Sequence, residues 1–207
     1  MALHPIEHWL RRLGATTLLP ALASIFVGMW HGLRRPRGQS TGQARRVIQP
    51  GYYILIGVPY FALCFFLWRP LRVSLSAPAR AISLILGALL YFPGLALAVW
   101  GRLALGRMYN VSSGFGVQLH AGHSLVTRGP YRIVRHPMYL GILLASLGGL
   151  LLYRTWTAVF VLTNFLGLLL RARREEQALA SEFGESWRAY CQQVPAWMPK
   201  IRYERSA

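Results

Sequence analysis

The chain has 207 residues, of which 54% are hydrophobic and only 14% are charged, whereas a soluble domain carries about 25% charged residues. Arginine and lysine total 23 against 6 acids, which gives a net charge of +17. A nucleic-acid-binding protein would concentrate such charge on one face of a soluble domain. Here the bases instead form clusters between long apolar windows, a pattern typical of membrane proteins. We therefore expect an integral membrane protein that does not bind nucleic acid.

Five charge-free windows approach or reach the length that a helix needs to cross a bilayer, about 17–25 residues. They predict an all-α membrane protein with five transmembrane helices, of which the last two form a short hairpin around Arg154. The windows are 13–33, 47–68, 81–101, 136–153 and 155–170. The uncharged stretch 108–127 is polar and rich in glycine, and 34–46 is basic, so both are predicted to be loops. The first window has no small-residue cleavage site after a short apolar core and is interpreted as a span.

The distribution of bases predicts the orientation. With the N-terminus outside, the outer segments hold 6 bases and the inner segments hold 17, as the positive-inside rule requires. The C-terminus and segments 102–135 and 171–207 are then cytoplasmic. The short chain shows no retention signal, which favours a prokaryotic inner membrane. The predicted division is 1–101, with three helices and the basic loop, and 102–207, with the hairpin and both sizeable hydrophilic segments.

The C-terminal segment predicts an amphipathic cytoplasmic helix. Its apolar residues recur at helical spacing, and prolines 195 and 199 end it. The stripe consists of Leu179, Phe183, Trp187 and Tyr190. Two interpretations are open: a helix that lies on the lipid headgroups, or a lid over a site.

Polar residues gather near the predicted membrane boundary. Arg171 and Glu175 are four residues apart and share one helix face, where they could form a simple stabilising pair. They could also bind a ligand, Glu175 a cation and Arg171 an anion. Pro137 suits the first turn of the fourth helix, which places His136 at the boundary with Tyr131 and Tyr139. These three form either an anchoring belt or the wall of a polar pocket.

Two segments carry a family resemblance: HSLVTRGPYRIVRHPMYLG (123–141) and RARREEQALASEFGESWRAYCQQVPAWMPKI (171–201). They resemble the isoprenylcysteine carboxyl methyltransferases and related phospholipid methyltransferases, in the family's order and spacing. The first 100 residues match only as generic membrane helices. The resemblance implies a membrane-embedded methyltransferase that uses S-adenosyl-L-methionine and no metal, with 102–207 as its catalytic region.

The resemblance also implies site residues. Arg171 matches the arginine assigned to a substrate carboxylate, and Glu175 completes the catalytic pair while also contacting the cofactor. The other implied cofactor contacts are Gln118, His123, Ser124, Leu125, Val126, Tyr131, His136, Pro137, Met138 and Tyr139.

Three functions are considered, and Arg171 favours the first because an amine has no obvious need for an anion-binding arginine. The first is carboxyl O-methylation of a prenylcysteine-like lipidic acid, which needs no general base because a carboxylate is already ionised near pH 7. The second is N-methylation of a phospholipid amine or S-methylation of a small thiol, for which His136 or a glutamate would be the candidate base. The third is a non-catalytic membrane partner protein.

Overall fold

The computed structural model describes residues 3–34, 37–42, 50–109, 116–120 and 122–199. Within these ranges the chain forms six α-helices, two short 3-10 helices and one two-stranded antiparallel ribbon. In chain order the elements are α1 (Leu3–Leu33), β1 (Arg37–Gly42), α2 (Pro50–Phe66), α3 (Ala77–Leu105), a 3-10 helix (Gly106–Met108), β2 (Gly116–His120), a second 3-10 helix (Gly129–Arg132), α4 (Pro137–Tyr153), α5 (Trp156–Thr163) and α6 (Phe165–Gln193).

The helical architecture confirms the main part of the predicted fold class. Two helices, His4–His31 and Ala77–Met108, are long and apolar enough to cross a membrane, and Tyr53–Phe66 and Pro137–Tyr153 are shorter apolar helices. Large apolar side chains on the outside of the bundle are exposed, among them Phe65. Such a surface is suited to lipid rather than to water.

Two helices extend well beyond the charge-free windows. The α1 helix begins at Leu3 and includes Glu7 and Arg11, which form an i,i+4 ion pair. The α3 helix includes both Arg80, which binds Glu7, and Arg102. A charge-free window measures only the apolar part of a helix. The helix can extend beyond its window where charged residues form ion pairs.

A short ribbon adds two strands to the helical fold, and both lie within the segments predicted to be loops. Strand β1 lies in the stretch predicted as a basic loop and pairs with β2, which lies in 108–127; Ser40 is opposite Gln118. Strand β1 has no large apolar residue, and β2 alternates over only four residues, so the periodic signal was too short to predict a strand. Leu119 of β2 packs on Ala178 of α6, which attaches the ribbon to the C-terminal helix.

The end of the predicted fifth span is also corrected. The hairpin around Arg154 is present, since Arg154 ends α4 in the left-handed conformation (φ +51°) and Thr155 caps α5. The helix is interrupted at Asn164, however, and not near residue 170. Asn164 donates its side-chain amide to the Phe160 carbonyl at 2.7 Å. Helix α6 then carries Arg171 and Glu175 without a break, and bends only at Gly184 (φ +49°).

The closest helix contact joins α3 and α4 through glycines. A Cβ added to Gly148 would lie 2.4 Å from the Tyr91 nitrogen, and one added to Gly141 would lie 2.5 Å from the Ala98 nitrogen. Small residues allow such backbone contact between membrane helices. A core packs beside it, formed by Leu84, Tyr91, Ala145 and Leu152. The Tyr91 hydroxyl donates to the Gly14 carbonyl at 2.9 Å and ties α1 to this core.

We predict that Gly148→Ala lowers the melting temperature of the detergent-purified protein. The new methyl group would meet the α3 backbone, which cannot rotate away, and overpacking of this kind costs about 1–3 kcal/mol. Gly57→Ala is the matched control, because nothing lies within 4 Å of a Cβ at Gly57. Thermal unfolding of both variants tests this, and equal melting temperatures would show that the helices do not depend on the close approach.

Candidate functional site

One cleft contains most of the predicted site residues. It lies where α3 ends and α4 begins, and α6 forms its opposite wall. All of its lining residues come from the predicted catalytic region. They are Leu105, Met108, Tyr109, Leu119, His123, Leu125, Val126, Tyr131, Arg135, His136, Met138, Tyr139, Arg171, Glu175, Leu179, Trp187 and Tyr190.

The start of α4 is held by the chain that follows α6. Pro137 occupies the first turn of α4, as predicted, and its missing N–H costs no hydrogen bond there. The backbone N–H of Arg135 donates to the Pro195 carbonyl at 2.8 Å, and that of His136 donates to the Ala196 carbonyl at 3.1 Å. The segment after α6 therefore fixes the turn that places His136 in the cleft.

Glu176 binds the same turn from α6. Its Oε1 accepts a hydrogen bond from His136 Nε2 at 2.9 Å and from Arg135 Nε at 3.0 Å. The hydrogen bond from His136, with the charge of Arg135, lowers the pKa of the Glu176 carboxyl against the opposing effect of burial. The His136 ring is buried and stacks between Tyr139 and Trp197. Glu176 and Trp197 thus set the orientation of the His136 ring.

Glu175 faces the cleft beside Arg171. The Tyr139 hydroxyl donates to Glu175 Oε2 at 2.9 Å, and Tyr139 is buried. Arg171 lies one helical turn before Glu175 and lines the same cleft. The cleft therefore combines a guanidinium, a carboxylate and a phenol within one small space.

The apolar stripe of α6 packs against the protein. The side chains of Trp187 and Tyr190 are only 6% and 8% exposed, and they cluster with Leu125 from the loop before α4. Burial raises the pKa of Tyr190 to about 12, so its hydroxyl is neutral and donates to the Tyr131 carbonyl at 2.7 Å. The arrangement matches a lid over the cleft rather than a helix lying on headgroups.

A further wall comes from residues that the sequence did not single out. Tyr109 is buried in the cleft, and the Arg102 guanidinium lies over its ring at 4.0 Å from the centroid. Arg102 passes α1 at Gly28, where a Cβ would lie 2.0 Å from its Nη2. No motif pointed to Tyr109, because it lies outside both quoted segments, whereas Arg135 and Trp187 lie within them.

Comparison with known proteins identifies the family. Residues 82–186, just over half of the chain, match the family described as phospholipid methyltransferase. The chain belongs to this family.

Several curated relatives are methyltransferases. Methanethiol S-methyltransferase of Pseudomonas deceptionensis is 28% identical over 167 residues, which cover 75% of this chain and 61% of the relative. Protein-S-isoprenylcysteine O-methyltransferase of Schizosaccharomyces pombe is 38% identical over 81 residues, 38% of this chain and 34% of the relative. The enzyme of the same name from Mus musculus is 34% identical over 116 residues, 53% of this chain and 41% of the relative. The chain thus spans less than two thirds of the length of each of these relatives.

The cleft brings together most, but not all, of the residues that the family resemblance implied. Those that line it are His123, Leu125, Val126, Tyr131, His136, Met138, Tyr139, Arg171 and Glu175. Ser124 is exposed, and its backbone N–H is directed at the Met108 sulfur at 3.3 Å. Pro137 is buried in the first turn of α4. The backbone of Gln118 pairs with Ser40, and its side chain lies outside the described residues.

We predict that Glu176→Gln destabilises the protein in a pH-dependent way. The pKa of Glu176 is lowered in the folded state, so its stabilisation is present above the ordinary glutamate pKa of about 4.5 and is lost as the pH falls through the folded-state value. At neutral pH the loss should be about 1–2 kcal/mol, since Glu176 is partly exposed.

The measurement is the melting temperature of wild type and variant from pH 8 to pH 4. The difference in melting temperature between wild type and variant should become smaller at acidic pH. Glu185→Gln is the control, because the Glu185 pair with Arg188 is exposed and should matter little at any pH. A gap that stayed constant across the range would refute the assignment.

Proposed function

We propose that this protein is a membrane methyltransferase that uses S-adenosyl-L-methionine and methylates the carboxylate of a prenylcysteine-like lipidic acid. One observation carries the proposal: Arg171 and Glu175, one turn apart on α6, share a cleft with the buried phenol of Tyr139. The cleft thus offers a cation for an acidic substrate and a carboxylate for a cationic cofactor.

The donor set of the cleft fits S-adenosyl-L-methionine. Glu175 suits the cationic amino group or the ribose hydroxyls, and Leu125, Val126 and Met138 offer an apolar surface for the adenine ring. The tyrosines add electron-rich faces, which attract cations. When bound, the cofactor supplies a methyl group activated by a sulfonium.

The residues of this chain supply binding and orientation. Arg171 would hold a substrate carboxylate by charge-assisted hydrogen bonds and direct one of its oxygens into the cleft. No residue needs to remove a proton, because the carboxylate is ionised near pH 7. The buried Trp187 and Tyr190 would limit the access of water to the cleft. Positioning of this kind accounts for a large part of the rate enhancement in a two-reactant transfer.

A small thiol is the second candidate substrate. The methanethiol S-methyltransferase of Pseudomonas deceptionensis matches 75% of this chain, whereas the isoprenylcysteine enzyme of Schizosaccharomyces pombe matches 38%. The longer match therefore includes part of the N-terminal helices, which would form any lipid-selecting wall. A thiol must lose its proton before transfer, and His136 or Glu175 is the candidate acceptor of that proton. A phospholipid amine would need a base in the same way.

The membrane arrangement is part of the proposal. Five spans, with α5 and the first turns of α6 forming the last, place the cleft at the cytoplasmic surface and the N-terminus outside. The excess of bases in the inner segments supports this orientation, and a prokaryotic inner membrane is the proposed location. All lining residues of the cleft fall between 105 and 190, which supports a catalytic region at 102–207.

We predict that Glu175→Gln weakens the binding of S-adenosylhomocysteine at least about 10-fold, the equivalent of one lost charged hydrogen bond. Isothermal calorimetry on detergent-purified protein measures this. Glu182→Gln is the matched control, because Glu182 is exposed on the same helix and should leave the affinity unchanged. If the folded wild type bound neither S-adenosylmethionine nor its product, the chain would be a non-catalytic membrane partner protein.

We predict that Arg171→Ala lowers kcat/KM for a prenylcysteine acid by about 10- to 100-fold. Most of the change should be a higher KM, as expected for the loss of a charge-assisted contact. Its affinity for S-adenosylhomocysteine should change far less. Arg173→Ala, an exposed arginine on the same helix, is the control. A matched panel of prenylcysteine acid, its carboxamide, a small thiol and a phospholipid amine identifies the acceptor. Methylation of the thiol, with no activity on the acid, would select the second candidate.

A further inference from the structure

A buried carboxylate lies at the ends of α3 and α4 that are remote from the cleft. The side chain of Glu7, on α1, is only 4% exposed. Its Oε1 forms an ion pair with Arg11 Nη2 at 2.6 Å and accepts a hydrogen bond from Arg154. Its Oε2 accepts from Arg80 Nε at 2.5 Å. Three arginines from α1, α3 and the α4–α5 turn therefore surround one acid.

The cluster carries more positive charge than Glu7 can neutralise. Three guanidiniums against one carboxylate leave an excess of two charges, and Glu7 is the only acid paired with them among the residues that the structure describes. The Nη1 atom of Arg154 is buried and has no hydrogen-bond partner within the described part of the chain. Arg11 and Arg80 are each about one-third exposed, so their remaining N–H groups can reach a ligand from outside. Partly buried positive charge of this kind is unfavourable unless an anion compensates it.

Backbone hydrogen bonds restrict two of the three arginines. Arg11 Nε donates to the Leu152 carbonyl at 2.8 Å. The backbone of Arg154 closes α4, and its carbonyl accepts from the Leu71 N–H at 2.7 Å. A ligand would thus meet arginines whose conformations are already restricted, which reduces the entropic cost of binding.

An apolar groove begins directly beside this cluster. It runs between α1 and α3 and has a volume of about 370 Å³. Ile6 and Leu10 flank Glu7 and Arg11 in the chain, and Ala81 follows Arg80. Its lining residues are Ile6, Leu10, Ala81, Leu84, Ile85, Ala88 and Leu89. A cationic cluster at the mouth of an apolar groove matches a molecule with an anionic head and a hydrocarbon tail.

We infer that the Glu7 cluster and this groove form a binding site for an anionic phospholipid of the surrounding leaflet. Arginines bind phosphate oxygens through paired N–H groups, and one phosphodiester would reduce the excess charge from two to one. The acyl chain would lie along Ile6, Leu84 and Leu89. A zwitterionic lipid brings its own ammonium group to the arginines, so the site discriminates against it.

The test compares three ligands on the full-length protein in detergent: phosphatidylglycerol, phosphatidylcholine and inorganic phosphate. Native mass spectrometry measures bound lipid and thermal unfolding measures stabilisation. Phosphatidylglycerol should bind at least about 10-fold more tightly than phosphatidylcholine, the factor for about 1.4 kcal/mol. Inorganic phosphate at the same concentration should have little effect because it cannot fill the groove.

Two variants locate the site. Arg80→Gln should abolish the preference for phosphatidylglycerol, and its remaining amide can still donate to Glu7 and preserve the fold. Arg12→Ala removes the same charge from the adjacent exposed arginine and should keep the preference within about 2-fold. Equal losses in both variants, equal binding of the two lipids, or full stabilisation by phosphate alone would each overturn the inference. None of these measurements depends on methyl transfer.

Discussion

The contact between the backbones of α3 and α4 determines where both ends of the molecule lie. Gly94, Gly141 and Gly148 let the two helices approach until any added Cβ would meet the opposite backbone. Because helices are stiff, this single contact positions Tyr109 and His136 at one end. At the other end it positions the arginines around Glu7. A shift between the helices would therefore disturb both charged clusters at once.

The adjacent acids Glu175 and Glu176 make different contacts. Adjacent residues on a helix project about 100° apart, and α6 exploits this at residues 175 and 176. Glu175 faces the cleft and accepts from Tyr139, while Glu176 turns to His136 and Arg135. One acid thus faces the cleft, and the other holds the turn that forms part of its wall. Both roles require α6 to continue unbroken from Arg171 through Glu176.

The sequence alone predicted the local features correctly. Proline 137 marked the start of α4, the single Arg154 marked the hairpin, and the spacing of Arg171 and Glu175 placed them on one face. Two motifs indicated the family because their residue types and spacings match those of the family. The charge-free windows predicted the helix ends less accurately, since paired residues such as Glu7 and Arg80 lie within helices that extend beyond their windows.

Composition, spacing and motifs thus determined that this is a helical membrane protein of the phospholipid methyltransferase family. Only the tertiary structure decided which distant segments meet. Three contacts join residues far apart in the chain. Ser40 pairs with Gln118, and Arg102 passes Gly28 to reach Tyr109. Three arginines surround Glu7. No local periodicity reports such contacts, because they arise from the packing of helices whose mutual positions depend on the fold as a whole.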